Sequence, residues 1–219
     1  MFTEQQMKVM LQMQDEINSV IDPNWIKNAN PFMMAAALEY AEAIEHYGWK
    51  WWKKQTPDLN QVKMEMVDIW HFMLSQITID LTEERTSVTL EILLDIPSNI
   101  RDFERITIID SVYALSDLQL LNDSMGMAAL NVVNIPVFMH LCSRFGLTEE
   151  ELFKLYVGKN VLNTFRQANG YKEGTYTKVW SGREDNEYLT DIMNNMKLDS
   201  SNLKEEVYQA LSAAYATHA

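Results

Sequence analysis

Apolar positions near the start of the chain repeat with a helical period. Wound at about 100° per residue, Met7, Leu11 and Ile21 fall on one stripe, which predicts a first helix over 3–21. Gln14 and Asn18 fall in the middle of that stripe, two amides on an apolar face. A second helix is expected in "NANPFMMAAALEYAEAIEHYG", with Asn30 as N-cap, Pro31 at the first helical position and Gly48 as the stop. "WKWWKKQTPD" reads as a loop, and a third helix runs from about Leu59 to Asp80. Residues 81–125 read as helical with breaks near Pro97 and around "LNDSMG". One helix, bent at Pro136, is expected from Met127 to Phe145, ending at Gly146. Thr148 to Glu151, "TEEE", forms a capping box that starts the next helix, which ends near Asn169 with Gly170 beyond it. "YKEGTYTKVWSGREDN" reads as irregular loop, followed by one or two polar helices. The pattern is that of a single all-α domain over 1–219.

Composition narrows the function classes. The 219 residues are 47% hydrophobic, enough for one sizeable core. With 18 basic and 31 acidic side chains the net charge is −13, which argues against nucleic acid and anionic membranes as partners. One cysteine, Cys142, leaves no internal disulfide and suits a core position in a reducing compartment. The start lacks the charged-then-apolar pattern of a signal peptide, and no apolar run approaches the roughly 18 residues that span a bilayer. A soluble cytoplasmic protein is expected.

Two acidic pairs stand out against this background. Glu39 and Glu42 are three apart on the second helix, and Glu65 and Asp68 are three apart on the third. That spacing puts both carboxylates of a pair on one face. Such pairs are common on solvated faces, but Ala35, Ala36, Ala37, Ala41 and Ala43 surround the first, and Met64, Met66, Val67, Ile69 and Trp70 the second. A helix apolar all round is buried. Antiparallel packing would converge four acids, whose repulsion a divalent cation relieves, and oxygen donors favour Mg²⁺, Mn²⁺ or Ca²⁺ over zinc. A di-iron bundle uses carboxylates too, but needs two Glu-x-x-His motifs. Only "DIWH", Asp68 to His71, approaches that, and neither His140 nor His218 has an acid three residues before it. A helical binding protein without catalysis is a third reading.

The acidic chain reverses sign locally. Residues 159–183 hold five basic side chains, Lys159, Arg166, Lys172, Lys178 and Arg183, against one acid, Glu173. Lys159, Asn163 and Arg166 share one helical stripe, and the loop between Gly170 and Gly174 brings Tyr171 and Lys178 near. A solvated basic face is the ordinary fate of such a cluster. The functional alternative is a grip on a polyphosphate, held as its Mg²⁺ complex beside the carboxylates. The sequence has neither a P-loop nor a GxGxxG fingerprint.

Four segments, "MQDEIN", "EYAEAIEHYGWKWW", "EMVDIWHF" and "GKNVLNTFRQANGYKEGTYTKVWSGREDN", resemble in residues and order the dimeric all-α dUTP pyrophosphatases, or dUTPases. The acidic pairs alone are shared with the wider all-α NTP pyrophosphatases, some of which also hydrolyse dCTP. The resemblance implies a helical bundle of that type with additional helices, and residues 81–145 as a variable helical insertion. It implies a homodimer that hydrolyses dUTP, and dUDP, to dUMP with release of pyrophosphate or phosphate. By the same resemblance Glu39, Glu42, Glu65 and Asp68 hold two or more Mg²⁺ ions, with Mn²⁺ as a substitute, and Glu39 positions the attacking water. Lys159, Asn163, Arg166, Tyr171 and Lys178 would bind phosphates. Gln14 and Asn18 would read uracil, whose pairing edge offers acceptor, donor, acceptor. Trp52, His71 and Phe72 would line the base and sugar pocket, with Trp49 and Trp51 as rivals for the indole that meets the base.

Overall fold

The computed structural model describes residues 2–82, 114–196 and 203–218. The expected break near Pro97 lies outside the described residues. The first four helices are α1 (Glu4–Ile21), α2 (Trp25–Asn28), α3 (Phe32–Tyr47) and α4 (Leu59–Leu81). After them come α5 (Asp117–Ala129), α6 (Ile135–Arg144) and α7 (Glu149–Ala168). A two-stranded hairpin, β1 (Val179–Trp180) with β2 (Arg183–Glu184), precedes α8 (Asp185–Asn195) and α9 (Leu203–His218). The all-α expectation holds, with this hairpin as the departure.

Local chemistry starts each helix. In α1, Thr3 and Gln6 form a reciprocal capping box, and Met7, Met10, Leu11, Met13 and Ile17 bury one face. Gln14 and Asn18 are buried on that same face. In α3 the cap is shifted by one residue from expectation: Pro31 occupies the N-cap position, because the Asn30 amide donates to Asp22 instead. Gly48 ends α3 at φ +88°, a left-handed conformation that a side chain resists. Asp58 then caps α4.

α3 and α4 form an antiparallel pair. The Asp58 amide donates to the His46 carbonyl at 2.9 Å, closing the connecting loop. Glu39 and Glu65 meet further along, as that register requires. α4 also packs on α1 and α7, so its apolar surround is buried as the pattern implied. Trp70 on α4 stacks between Phe2 and Phe138. Cys142 is free and buried on α6.

Three expectations are corrected in the second half. "LNDSMG" lies within α5, which Ser116 and Gln119 cap and which packs against α3. The single bent helix over 127–145 is two helices, because Asn134 caps a new one and Pro136 sits in its first turn. "TEEE" supplies half a capping box: Thr148 accepts from the Glu151 amide, but the Glu151 carboxylate pairs with Lys63 at 3.0 Å.

The expected irregular loop after α7 is more ordered than its polarity implied. Ser181 and Gly182 both have positive φ, as a two-residue type I′ hairpin turn requires. Trp180 is fully buried among Phe165, Tyr188 and Tyr215, which pins the hairpin to α7, α8 and α9. That anchor fixes Lys178 on one side of the hairpin and Asp185 on the other.

Candidate active site

Glu39 and Glu42 on α3 face Glu65 on α4, and one carboxylate oxygen from each lies within 4.8 Å of the others. Asp68 completes the acidic group, yet its oxygen is held at 2.7 Å by the Lys159 ammonium from α7. Burial is the main burden on two of these carboxylates, and their neighbours' charges add to it. Burial, with Asp68 and Glu42 nearby, pushes Glu39 up to about 7. Burial and then the charge of Asp68 push Glu65 up to about 9, with Glu39 adding to it and Lys159 opposing it. His46 lies 3.5 Å from Glu65. The di-iron pattern is not met by His71, which turns to Gln14 instead.

A cavity of about 760 Å³ opens beside this group. Gln14, Asn18, His71 and Phe72 line one part of it, and Lys159, Asn163, Arg166, Tyr171 and Lys178 another. All of the sequence-nominated site residues line it except Trp52. That side chain is 56% exposed on the loop after α3, edge-on to Trp49 and Trp51. The three indoles pack on one another outside the cavity, while His46 and Asp58, at the two ends of the loop, line it.

The basic stripe on α7 arrives already partnered. Arg166 donates through Nε and Nη2 to both oxygens of Asp185, at 2.8 and 2.7 Å, and through Nη1 to Asn163 at 3.2 Å. Lys159 also donates to Asn186 at 2.8 Å. Asp185 has no solvent exposure. Burial pushes its carboxyl up, but the Arg166 hydrogen bonds and charge outweigh this and hold it below the ordinary value. With the second Nη2 hydrogen on Asn186 at 3.4 Å, the fork of Arg166 is spent inside the protein, leaving one Nη1 hydrogen among the described residues. Lys178 is exposed and lies 5.5 Å from the Tyr171 ring. Lys172 points elsewhere, donating to the carbonyl of Ile21 at the end of α1.

Sequence reading missed Asp185 and Asn186, which hold the cations, and Ser75 and Tyr156, which hold the amides. Their signals were present. Ser75 extends the Asp68–His71 stripe by one turn, and Tyr156 precedes Lys159 by three on the face of Asn163 and Arg166. Tyr156 stacks on His71 with ring centroids 3.9 Å apart and reaches Gln14 at 2.8 Å. Burial pushes His71 down to about 4, so the ring is neutral near pH 7.

The site therefore joins oxygen donors for a hard cation, positive groups for an anion, and a buried amide pair for a planar polar ring. No curated protein sequence matches this chain. A family model does: residues 6–171 match the model described as dUTPase, leaving the hairpin, α8 and α9 outside the matched region. With most of its length matched, and with the all-α architecture that accompanies it, the chain belongs to the dUTPase family.

Proposed function

We propose that this chain hydrolyses dUTP, and dUDP, to dUMP with release of pyrophosphate or phosphate, using Mg²⁺ held by Glu39, Glu42, Glu65 and Asp68. One observation carries the reading: a single cavity joins the amide pair, the carboxylates and the cations, three surfaces that match base, metal and phosphates. The donor set fits the ion. It is all oxygen, which suits Mg²⁺ or Mn²⁺, and burial, followed by the neighbouring carboxylate charges, pushes Glu39 and Glu65 up to about 7 and about 9, a burden that a cation would relieve. When bound, such an ion polarises phosphoryl oxygens and acidifies coordinated water.

The chain's own groups do the rest. Gln14 and Asn18 face the base, and His71 and Phe72 close around base and sugar. Glu39, besides holding the metal, positions an in-line water for attack. Lys159, Asn163, Tyr171 and Lys178 surround the phosphates, and Arg166 contributes chiefly by fixing Asn163 and Asp185. Trp52, lying outside the cavity, has no part in this assignment.

A panel of nucleotides with Mg²⁺, its products separated by chromatography, tests the proposal. dUMP and pyrophosphate from dUTP are expected, with loss of turnover in EDTA. Full activity in EDTA, or no dUTP turnover with Mg²⁺ present, would overturn it. Within the panel, Lys178→Ala is the cleaner test of the cationic wall, since Lys178 is exposed and anchors no buried acid among the described residues. About tenfold weaker binding of dUTP at low salt is expected, with deoxyuridine unaffected. Equal loss for both ligands would assign Lys178 a structural role.

We further propose a symmetric homodimer. Met34 and Leu38, one turn apart on α3, are 60% and 61% exposed, a pairing that a second copy would cover. Among the described residues no helix is long and apolar enough to cross a membrane. Light scattering is expected to report about twice the 25.5 kDa of one chain. A single-chain mass at micromolar concentration would contradict the dimer.

A further inference from the structure

The amide pair has a direction, and the direction originates in a residue that does not line the cavity. Ser75 sits on α4 with no solvent exposure, and its hydroxyl donates to the His71 carbonyl one turn back, at 3.0 Å. While that proton stays on the His71 carbonyl the Ser75 oxygen accepts, and turning it onto Asn18 would forfeit the 3.0 Å bond to His71. The Ser75 oxygen accepts from Asn18 Nδ2 at 2.9 Å, which turns the Asn18 oxygen toward Gln14. That oxygen accepts from Gln14 Nε2 at 3.1 Å. Gln14 Oε1 is then turned away, toward His71 Nδ1 at 2.7 Å and the Tyr156 hydroxyl at 2.8 Å. Because Oε1 cannot donate, the His71 proton resides on Nδ1.

Counting what is left gives the recognition pattern. Gln14 Nε2 retains one hydrogen, Asn18 Oδ1 one lone pair, and Asn18 Nδ2 one hydrogen, with no further partner for any of them among the described residues. Both side chains line the cavity. The free pattern is donor, acceptor, donor. Uracil's edge of acceptor, donor, acceptor satisfies all three. Cytosine places an amino donor against the first and a bare ring nitrogen against the second, leaving two mismatches. Reversing both amides would present acceptor, donor, acceptor, which meets cytosine at two positions and uracil at none. Tyr156 does not by itself decide between the orientations, because its one proton can go to the Met10 carbonyl, also at 2.8 Å.

We propose that Ser75 is a positioning residue that fixes the direction of the Gln14–Asn18 pair, and thereby makes the cavity select a uracil edge over a cytosine edge. The inference rests on the base lying against Gln14 and Asn18, as the function proposed above has it.

Ser75→Ala removes the acceptor that orients Asn18 and leaves the cavity lining otherwise intact. The ratio of kcat/KM for dUTP to that for dCTP is expected to fall at least about tenfold, with the thermal midpoint little changed. Calorimetric binding of deoxyuridine and deoxycytidine to metal-free protein reads the same ratio without catalysis. Ser75→Cys, similar in volume but a poor acceptor, is expected to behave alike and serves if the alanine variant is unstable. A preserved ratio, or equal loss for both bases, would reduce Ser75 to a packing role and overturn the inference. A wild type that binds deoxyuridine selectively yet does not hydrolyse dUTP would sink the proposed activity alone. A wild type that binds neither nucleoside, or both equally, would sink the inference.

Discussion

Glu39→Gln is expected to lower dUTP turnover about 10²- to 10⁴-fold while making the metal-free protein more stable above neutral pH. The two effects have one cause. Glu39 is pushed up to about 7 by burial and by the charges of Asp68 and Glu42, so ionising it costs the folded state what it does not cost the unfolded chain. The sign follows from proton linkage. A carboxyl whose folded value lies above its unfolded value near 4.5 stabilises the fold fully below that value, and this contribution is lost as pH rises through 7. Glu65 continues the loss up to about 9. The metal-free wild type should therefore lose thermal stability between about pH 5 and pH 9, and the glutamine variant should lose less. Thermal unfolding followed by circular dichroism over that range, in EDTA, measures one half, and steady-state turnover with Mg²⁺ measures the other. A variant that is inactive but also destabilised at pH 8 would show that Glu39 serves packing. A variant that is stabilised and fully active would remove Glu39 from the chemistry. The expected outcome, stability gained and activity lost, is the signature of a site that is strained for function.

What was legible in the sequence divides along physical lines. Helical stripes report burial directly, so α1, α3, α4 and α7 and their shared faces could be read from apolar spacing. The acidic pair on α4 was legible because its apolar surround is buried, whereas α3 leaves Met34, Leu38 and Glu42 exposed, so there the apolar surround said less about burial. The α3 cap missed by one residue because Asn30 had a stronger local use, binding Asp22, than capping a helix that Pro31 can start. The boundary between α5 and α6 was missed because Gly126 and Pro136 were read as breakers in place. In fact Gly126 is tolerated inside a helix, and Pro136 occupies a first turn where its missing amide costs nothing. Partnership was least legible. A stripe of Lys159, Asn163 and Arg166 says that the three share a face, not that Asp185, nineteen residues beyond Arg166, has no exposure and takes the guanidinium. The same holds for Trp52. Its indole satisfies a residue-type expectation, but the closure of its loop by Asp58 and His46 leaves it among its neighbours outside the cavity.

That hidden partnership sets the outcome for Arg166→Ala. Read as a phosphate ligand on a solvated stripe, Arg166 should be removable at the expense of affinity alone. Bound to both oxygens of a fully buried Asp185, it should not. Its removal strands a carboxylate that also accepts from Tyr176 at 2.8 Å and begins α8. Breaking a buried pair by deleting one partner costs about 3–5 kcal/mol, because the remaining charge is left without compensation. For a chain of this size that lowers the thermal midpoint on the order of 10 °C. Activity should fall with it, since Asn163 loses its contact to Arg166 and the helix carrying Asn186, a partner of Lys159, loses its anchor. Asp185→Asn keeps the shape and removes the charge, so it should destabilise less than Arg166→Ala. The double variant Arg166→Ala with Asp185→Asn should recover part of the loss, and the difference between the single and double variants isolates the coupling. Unfolding midpoints of the three variants, read beside their dUTP affinities, separate the two roles. An Arg166→Ala protein with wild-type stability and a selective loss of triphosphate affinity would return Arg166 to the phosphate wall and leave Asp185 as a bystander.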